Sequence, residues 1–304
     1  DHRLGAQEAP PAIISVFLGS ELQSIIDAIV GESDYTETER KTLRIGVDVL
    51  PSIPQDTTDR NRTSPVAFTG NKFEFRMPGS SQSIAGPVTV LNTIMAEELS
   101  QFYAVLKEAP DFNKALHDLV RKAFIEHGRI IFNGNGYEEA WVEEAGLANL
   151  RSTADALPTY VLPKNVELMM KHGVYTKEEM FSRHEIHMEK YRKVIHIEAA
   201  TMVDMVQHEI LNAASEYESK LCETMLRKHE AAPELPCHVE KSLANSIGIL
   251  NDKLLEQTVT LKTALETAPV GASGEEEMRY YHDVVAADMD AVRDTVDRLE
   301  TLTA

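Results

Sequence analysis

The sequence predicts an α+β protein: part of an antiparallel sheet packed with helices, followed by a helical extension. Three observations carry that expectation. The stretch Phe68-Thr69-Gly70-Asn71-Lys72-Phe73-Glu74-Phe75-Arg76-Met77-Pro78 alternates with a period of two. The run Ile13-Ile14-Ser15-Val16-Phe17-Leu18 is apolar and rich in β-formers. From Thr176 to about Glu230 there is neither Gly nor Pro, and apolar residues recur every three or four positions.

In chain order, residues 1–19 read as a loop with Gly5 and Pro10-Pro11, then a strand whose extended entry the second proline pre-sets. Ser20–Val30 reads as a short amphipathic helix with Leu22, Ile25, Ile26 and Ile29 on one side. Ser33–Lys41 is polar and loop-like, and Leu43–Leu50 reads as a strand ended by Pro51 and Pro54. A polar loop, Gln55–Arg62, then delivers Arg60 and Arg62 to the alternating strand at Phe68–Pro78. Ile84–Val105 is a helix interrupted near Gly86-Pro87, with Pro87 suited to a first helical turn. Phe112–Phe132 is another, with Leu116, Leu119, Val120, Phe124 and Ile131 at helical spacing and Gly134–Gly136 closing it.

Residues 137–175 read as short helices and turns around Trp141, Pro158 and Pro163. Thr176 with Glu179 then makes a capping-box start for the long helix, striped by Met188, Tyr191, Ile195, Met202, Val206, Ala213, Tyr217 and Leu221. A second helix runs from Val239 to Leu265, and a third from Met278 to Leu299. Three antiparallel helices with short connections make a helical bundle. No internal repeat is present.

Length and composition bound the function. The 304 residues are 43% hydrophobic and 26% charged, which is the balance of a globular protein with a sizeable core. The net charge of −19 argues against a sequence-independent grip on nucleic acid or anionic lipid. No run approaches the ~20 apolar residues a membrane span needs. Cys222 and Cys237 supply no disulfide framework and no zinc spacing; they lie close enough in sequence to pair across a turn, but read rather as two buried or idle thiols in a reducing, cytoplasmic setting. The chain starts at Asp1-His2-Arg3 without an initiator Met or a signal peptide, and is expected to be a piece of a longer protein.

The alternating strand places Lys72, Glu74 and Arg76 on one face and Phe73, Phe75 and Met77 on the other, where they would pack on a core. A carboxylate between two cations suits a hard metal ion, and the cations suit phosphate or carboxylate oxygens. A solvated strand face of alternating charge accounts for the same pattern. With Arg3, Glu8, Arg60 and Arg62, the region before residue 80 collects five cations and two carboxylates. That set suits anionic substrates with a divalent metal, as in phosphoryl transfer, although surface ion pairing uses the same residues. By contrast, His184, Glu185 and His187 lack the spacing of a zinc-protease helix. His184, His187, His196 and His208 therefore read as packing or surface residues.

Three segments resemble one family. Arg3-Leu4-Gly5-Ala6-Gln7-Glu8-Ala9-Pro10-Pro11 resembles the glutamine synthetase segment in which an Arg precedes a short loop and Glu-Ala-Pro. Asn61-Arg62-Thr63-Ser64-Pro65 resembles its Asn-Arg-Ser segment, and Lys72-Phe73-Glu74-Phe75-Arg76 followed by Pro78 its basic-x-Glu-x-Arg-x-Pro strand. The order is the family's. The wording of the first and third segments, and the long insert after the first, are similar to the large type III enzymes. Lys171–Glu179 also resembles the stretch before the last helix of the catalytic domain.

The resemblance implies that residues 1–195 form the C-terminal part of a glutamine synthetase catalytic domain. Residues 196–304 would be a helical C-terminal extension, the long helix crossing the boundary. It implies ligation of ammonia to L-glutamate with ATP through γ-glutamyl phosphate, using Mg2+ or Mn2+, in a ring-based homo-oligomer, a dodecamer. It assigns Glu74 to a metal, Arg76 and Arg3 to glutamate, and Glu8 to a closing flap that takes a proton from ammonium. Arg62 falls at the ATP phosphates and reaction centre, and Lys72 nearby on the ATP side. The family's second arginine after Asn-Arg-Ser has no counterpart in Pro65-Val66-Ala67-Phe68. Its other metal carboxylates and metal histidine come from sequence upstream of residue 1, so this chain alone is expected to be inactive. A non-catalytic assembly or regulatory relative, and a γ-glutamyl-amine ligase on the same scaffold, are the alternatives.

Overall fold

The computed structural model describes residues 15–35, 42–43, 53–54, 66–69, 72–76, 83–134, 145–146, 148, 150, 152–269 and 271–303. These fall into two compact units, one ending at Lys177 and the other beginning at Glu178.

In the first unit, β1 (Val16–Phe17) pairs in parallel with β4 (Val66–Phe68), which pairs antiparallel with β5 (Phe73–Phe75). The sheet is therefore mixed, where a purely antiparallel one was expected. The reason is connectivity: β1 reaches β4 only after a crossover that carries helix α1 (Ser20–Gly31) and a two-strand ladder, and such crossovers make parallel neighbours. That ladder joins β2 (Thr42–Leu43) to β3 (Ile53–Pro54), with Thr42 opposite Pro54 and Leu43 opposite Ile53. Pro54 thus belongs to a strand instead of ending one; a residue without an N–H fits an edge position. The rest of the expected strand Leu43–Leu50 lies outside the described residues.

On its other side β1 meets the segment after the third helix. Ile131 bridges Val16 in parallel, and the Phe132 N–H donates to the Val16 carbonyl at 3.0 Å. One residue on, the Asn133 Oδ1 accepts from the backbone N–H groups of Leu18 and Gly19, each at 2.9 Å. Helix α1 has Gly19 (φ 82°) at its N-cap and no side-chain cap, and the segment entering it is held by a side chain more than a hundred residues away. At the other end of α1, Arg121 donates to the Val30 carbonyl at 3.1 Å and pairs with Glu32 at 3.3 Å. Arginine at a helix C-terminus satisfies an open carbonyl and opposes the dipole.

Helix α2 (Ala85–Leu106) starts at the expected proline, with Pro87 in its first turn and no interruption after it. Its apolar residues Val88, Leu91, Met95 and Leu99 follow one stripe and are exposed. Helix α3 (Phe112–His127), capped by the Asp111 side chain, stops short of the expected Phe132. A 3-10 turn at Gly128–Ile130 breaks the helix, and Ile131 is drawn into the bridge with Val16. Two short helices follow, α4 (Thr153–Tyr160) and α5 (Pro163–Lys171). The last residues of α5 are clasped to α2. Glu97 accepts from Lys171 Nζ at 2.7 Å, meets His172 Nε2 at 2.7 Å, and accepts from Gln101 at 2.9 Å.

In the second unit a long helix runs as α6 (Lys177–Met205), a π turn (Val206–Ile210) and α7 (Leu211–Ala231). It is followed by α8 (His238–Glu266), then α9 (Gly274–Tyr280), a second π turn (Tyr281–Val285) and α10 (Ala286–Thr303). Contacts between helices run antiparallel. Lys228 pairs with Glu240 and Asn251 reaches Glu218 across α7 and α8, while Thr295 donates to Gln257 and Tyr280 to the Ala264 carbonyl across α8 and α10's helix. The π turn shifts the stripe by one residue, so Ala214 is buried after it instead of the expected Ala213. Ile247, Leu254, Leu261, Met278, Val285, Val292 and Leu299 fill the core. Thr258 and Thr295 are buried among them, the Thr258 hydroxyl donating to the Leu254 carbonyl of its own helix and the Thr295 hydroxyl to Gln257.

Two measurements check this packing. Leu254→Ala empties a fully buried site and should cost about 2–5 kcal/mol in urea unfolding, whereas Leu255→Ala on the exposed face should cost less than about 0.5 kcal/mol. The Lys171, His172 and Gln101 hydrogen bonds, in that order of weight, hold the Glu97 carboxyl down at about 2 from its ordinary 4.5. A lowered folded value means the clasp stabilises fully above pH 4.5 and is lost as the pH falls toward 2. Glu97→Gln should therefore lower the urea midpoint by a constant amount above pH 4.5, and the gap should close toward pH 2.

Candidate functional site

The alternating stretch is a hairpin, not one strand from Phe68 to Pro78. Thr69 N–H donates to the Lys72 carbonyl at 2.9 Å, and the ladder sets Val66 opposite Phe75, Ala67 opposite Glu74 and Phe68 opposite Phe73. Gly70-Asn71 was the available signal, since a Gly-Asn pair between β-formers favours a tight hairpin connection. The expected core face is also corrected. Phe73 is 59% exposed, its ring tilted against Phe68 at 5.3 Å, because it lies beside the turn where the short ladder ends. Phe75 is half-buried, and Met77 lies outside the described residues.

On the charged face the alternation holds. Glu74 Oε1 lies 3.4 Å from Lys72 Nζ, and Glu74 Oε2 accepts from Arg76 Nη2 at 3.3 Å. The side chains are 66% exposed at Lys72, 40% at Glu74 and 14% at Arg76. The hydrogen bond from Lys72, then that from Arg76, holds the Glu74 carboxyl below its ordinary value. Because β1 and β4 are parallel and β5 runs back along β4, Arg76 stands at the end of the sheet where the chain enters β1 and β4. Arg3, Glu8 and Arg62, which precede those two strands in sequence, lie outside the described residues, as does Arg60.

Glu74 is an oxygen donor of the type that holds Mg2+ or Mn2+. The described residues include no group of three or more His, Cys, Asp or Glu able to hold a metal. Of the histidines of the long helix, some are packed and His208 is at the surface. His184 is buried, His196 meets the Tyr281 hydroxyl at 3.0 Å, and His208 bonds within its own helix. Both cysteines are free thiols. Among the described residues no helix is long and apolar enough to cross a membrane. The Glu97 clasp escaped sequence reasoning because its partners stand more than seventy residues away.

The glutamine synthetase C-terminal domain family matches residues 115–229. The chain is 36% identical over 318 residues to a glutamine synthetase of Butyrivibrio fibrisolvens, covering 99% of the chain and 44% of that relative. It is 43% identical over 231 residues to the type-3 glutamine synthetase of Dictyostelium discoideum, covering 74% of the chain and 31% of the relative. A glutamine synthetase of Bacteroides fragilis (strain YCH46) is 35% identical over 315 residues, covering 98% and 43%. The chain is thus similar over most of its length to glutamine synthetases, a type-3 member among them, and it spans less than half the length of these relatives.

The electrostatics of the hairpin can be checked directly. Replacing Lys72 with Met removes the largest cause of the Glu74 shift. The Glu74 carboxyl should then rise toward its ordinary value in a carbon-detected NMR titration of the side chain.

Proposed function

We propose that this chain is the C-terminal part of a glutamate–ammonia ligase, an enzyme that forms L-glutamine from L-glutamate, ammonia and ATP through γ-glutamyl phosphate. The observation that carries the reading is a single carboxylate, Glu74, set between Arg76 and Lys72 at the end of the sheet where β1 and β4 begin. The names of the relatives support it.

In this reading Arg76 and Arg3 hold the carboxylates of glutamate, since a guanidinium pairs with a carboxylate through two parallel hydrogen bonds. Glu8 closes over the site and takes a proton from ammonium, leaving ammonia to attack the γ-carbonyl as phosphate departs. Arg62 and Lys72 face the phosphates of ATP, where positive charge offsets the negative charge that builds during transfer. A closed loop also keeps water from the acyl phosphate. Glu74 would hold one Mg2+ or Mn2+ together with ligands outside the described residues; the bound ion would screen two anions that must meet.

The same reading divides the chain at about residue 195, with a catalytic part before it and a helical extension after. It places the protein in a ring-based homo-oligomer, a dodecamer, in the cytoplasm. Two experiments test it. The 304 residues alone should give no γ-glutamyl transfer, and measurable transfer would remove the argument that ligands beyond Glu74 are needed. In a family-length chain carrying this segment, Glu74→Ala should lower kcat at least about 100-fold and weaken the metal dependence. An unchanged rate and metal dependence would refute the role of Glu74. Comparing ammonia with small amines as acceptors separates glutamine synthesis from a related γ-glutamyl ligase.

A further inference from the structure

We propose that Lys72 and Arg76 form a cation latch on Glu74, occupying its carboxylate until anionic substrate draws them away and frees it for a divalent cation. The inference rests on the reading of Glu74 as a metal ligand.

The geometry is specific to this strand. Each carboxylate oxygen is taken by a different cation, Oε1 by Lys72 at 3.4 Å and Oε2 by Arg76 at 3.3 Å. All three residues alternate along one extended segment, so the two cations flank Glu74 at fixed backbone spacing on its own face. A divalent ion approaching Glu74 therefore meets a positive head group at each oxygen and has to compete with both. The two cations are not equivalent. Lys72 is 66% exposed and can swing its ammonium into water, whereas Arg76 is only 14% exposed and stays close to the carboxylate.

Glutamate changes this balance. Its carboxylate is a better match for a guanidinium than one oxygen of Glu74, because it offers two acceptors to the planar fork. Once Arg76 turns to it, Glu74 regains an open oxygen and the local charge beside it falls. Anion and metal then bind with positive coupling, and linkage makes the effect reciprocal: metal tightens glutamate by the factor by which glutamate tightens metal. Partly exposed ion pairs are weak, so the expected factor is about two to five.

The test uses the 304-residue chain labelled with nitrogen-15 and titrated with Mn2+, read as paramagnetic broadening of the Glu74 and Phe75 amides. Saturating L-glutamate should lower the half-broadening concentration about two- to five-fold. The Lys72→Met/Arg76→Met double variant should show the lower value without glutamate and gain nothing from it. Lys72→Met alone should give part of the shift and serves if the double variant loses the hairpin, which its remaining amide spectrum reports. Glu74→Gln gives the broadening from metal carried by glutamate alone. If the cation variants leave the half-broadening concentration unchanged while Glu74→Gln raises it, the latch is overturned and the metal reading stands. If the variants lower it but glutamate does not, release by substrate is overturned. If Glu74→Gln has no effect, the ion does not bind at Glu74 in this chain and the latch is overturned, while the metal reading is decided separately by Glu74→Ala in the family-length chain.

Discussion

The site depends on one backbone register, Ala67 opposite Glu74. Side chains on a strand alternate between faces, so a slip of one residue would turn Lys72, Glu74 and Arg76 to the other side and bring Phe73 and Phe75 in their place. Ala67 is fully buried between two paired neighbours, and the Phe68–Phe73 contact closes the ladder near the turn. A short ladder of three residue pairs has little to hold its register by itself. It is held by its neighbour: β4 is also paired with β1, and β1 is pinned from its far side by the bridge to Ile131 and the Asn133 hydrogen bonds. Residues on three well-separated segments therefore bear on the placement of one carboxylate.

The second unit answers to a different constraint. Its helices run for many turns, and a straight helix lets an apolar stripe drift around its axis. The two π turns each add a residue where the drift would carry the stripe off the core. Val206 and Val285, both fully buried, sit at these turns, and the stripe resumes beyond them on the same side. Several polar groups inside the packing are satisfied across helices. Glu277 accepts from Arg192 and from the Gly271 N–H, and Tyr281 meets His196 beside it. Burial raises the Tyr281 hydroxyl above its ordinary value, so it stays protonated and available to donate.

A carboxylate with a cation on each oxygen is a common surface arrangement, and its pattern alone does not distinguish a solvated face from a site. The proposed reading as a site rests on position. Arg76 lies at the sheet end where β1 and β4 begin, and the segments leading into those strands carry the residues that resemble the family's flap and Asn-Arg-Ser segment. The family match at residues 115–229 lies in a different part of the chain from the hairpin.

Local chemistry was legible in the sequence where neighbours in the chain are also neighbours in space. Helix α1, the entry of α2 at Pro87, the long Gly- and Pro-free helix and the charged face of residues 72–76 all follow from periodicity, capping and alternation. The single strand across Gly70-Asn71 was misread because alternation was followed through a turn signal, and α3 was extended because Ile131 continues its helical spacing. What only the tertiary structure decided involves partners far apart in sequence. These are the parallel pairing of β1 with β4, Asn133 at the start of α1, the Glu97 clasp and the one-residue shift at the π turns. A residue's own period says which face it occupies, but not which distant segment will meet that face, because that choice is settled by connectivity and by the backbone groups left to satisfy.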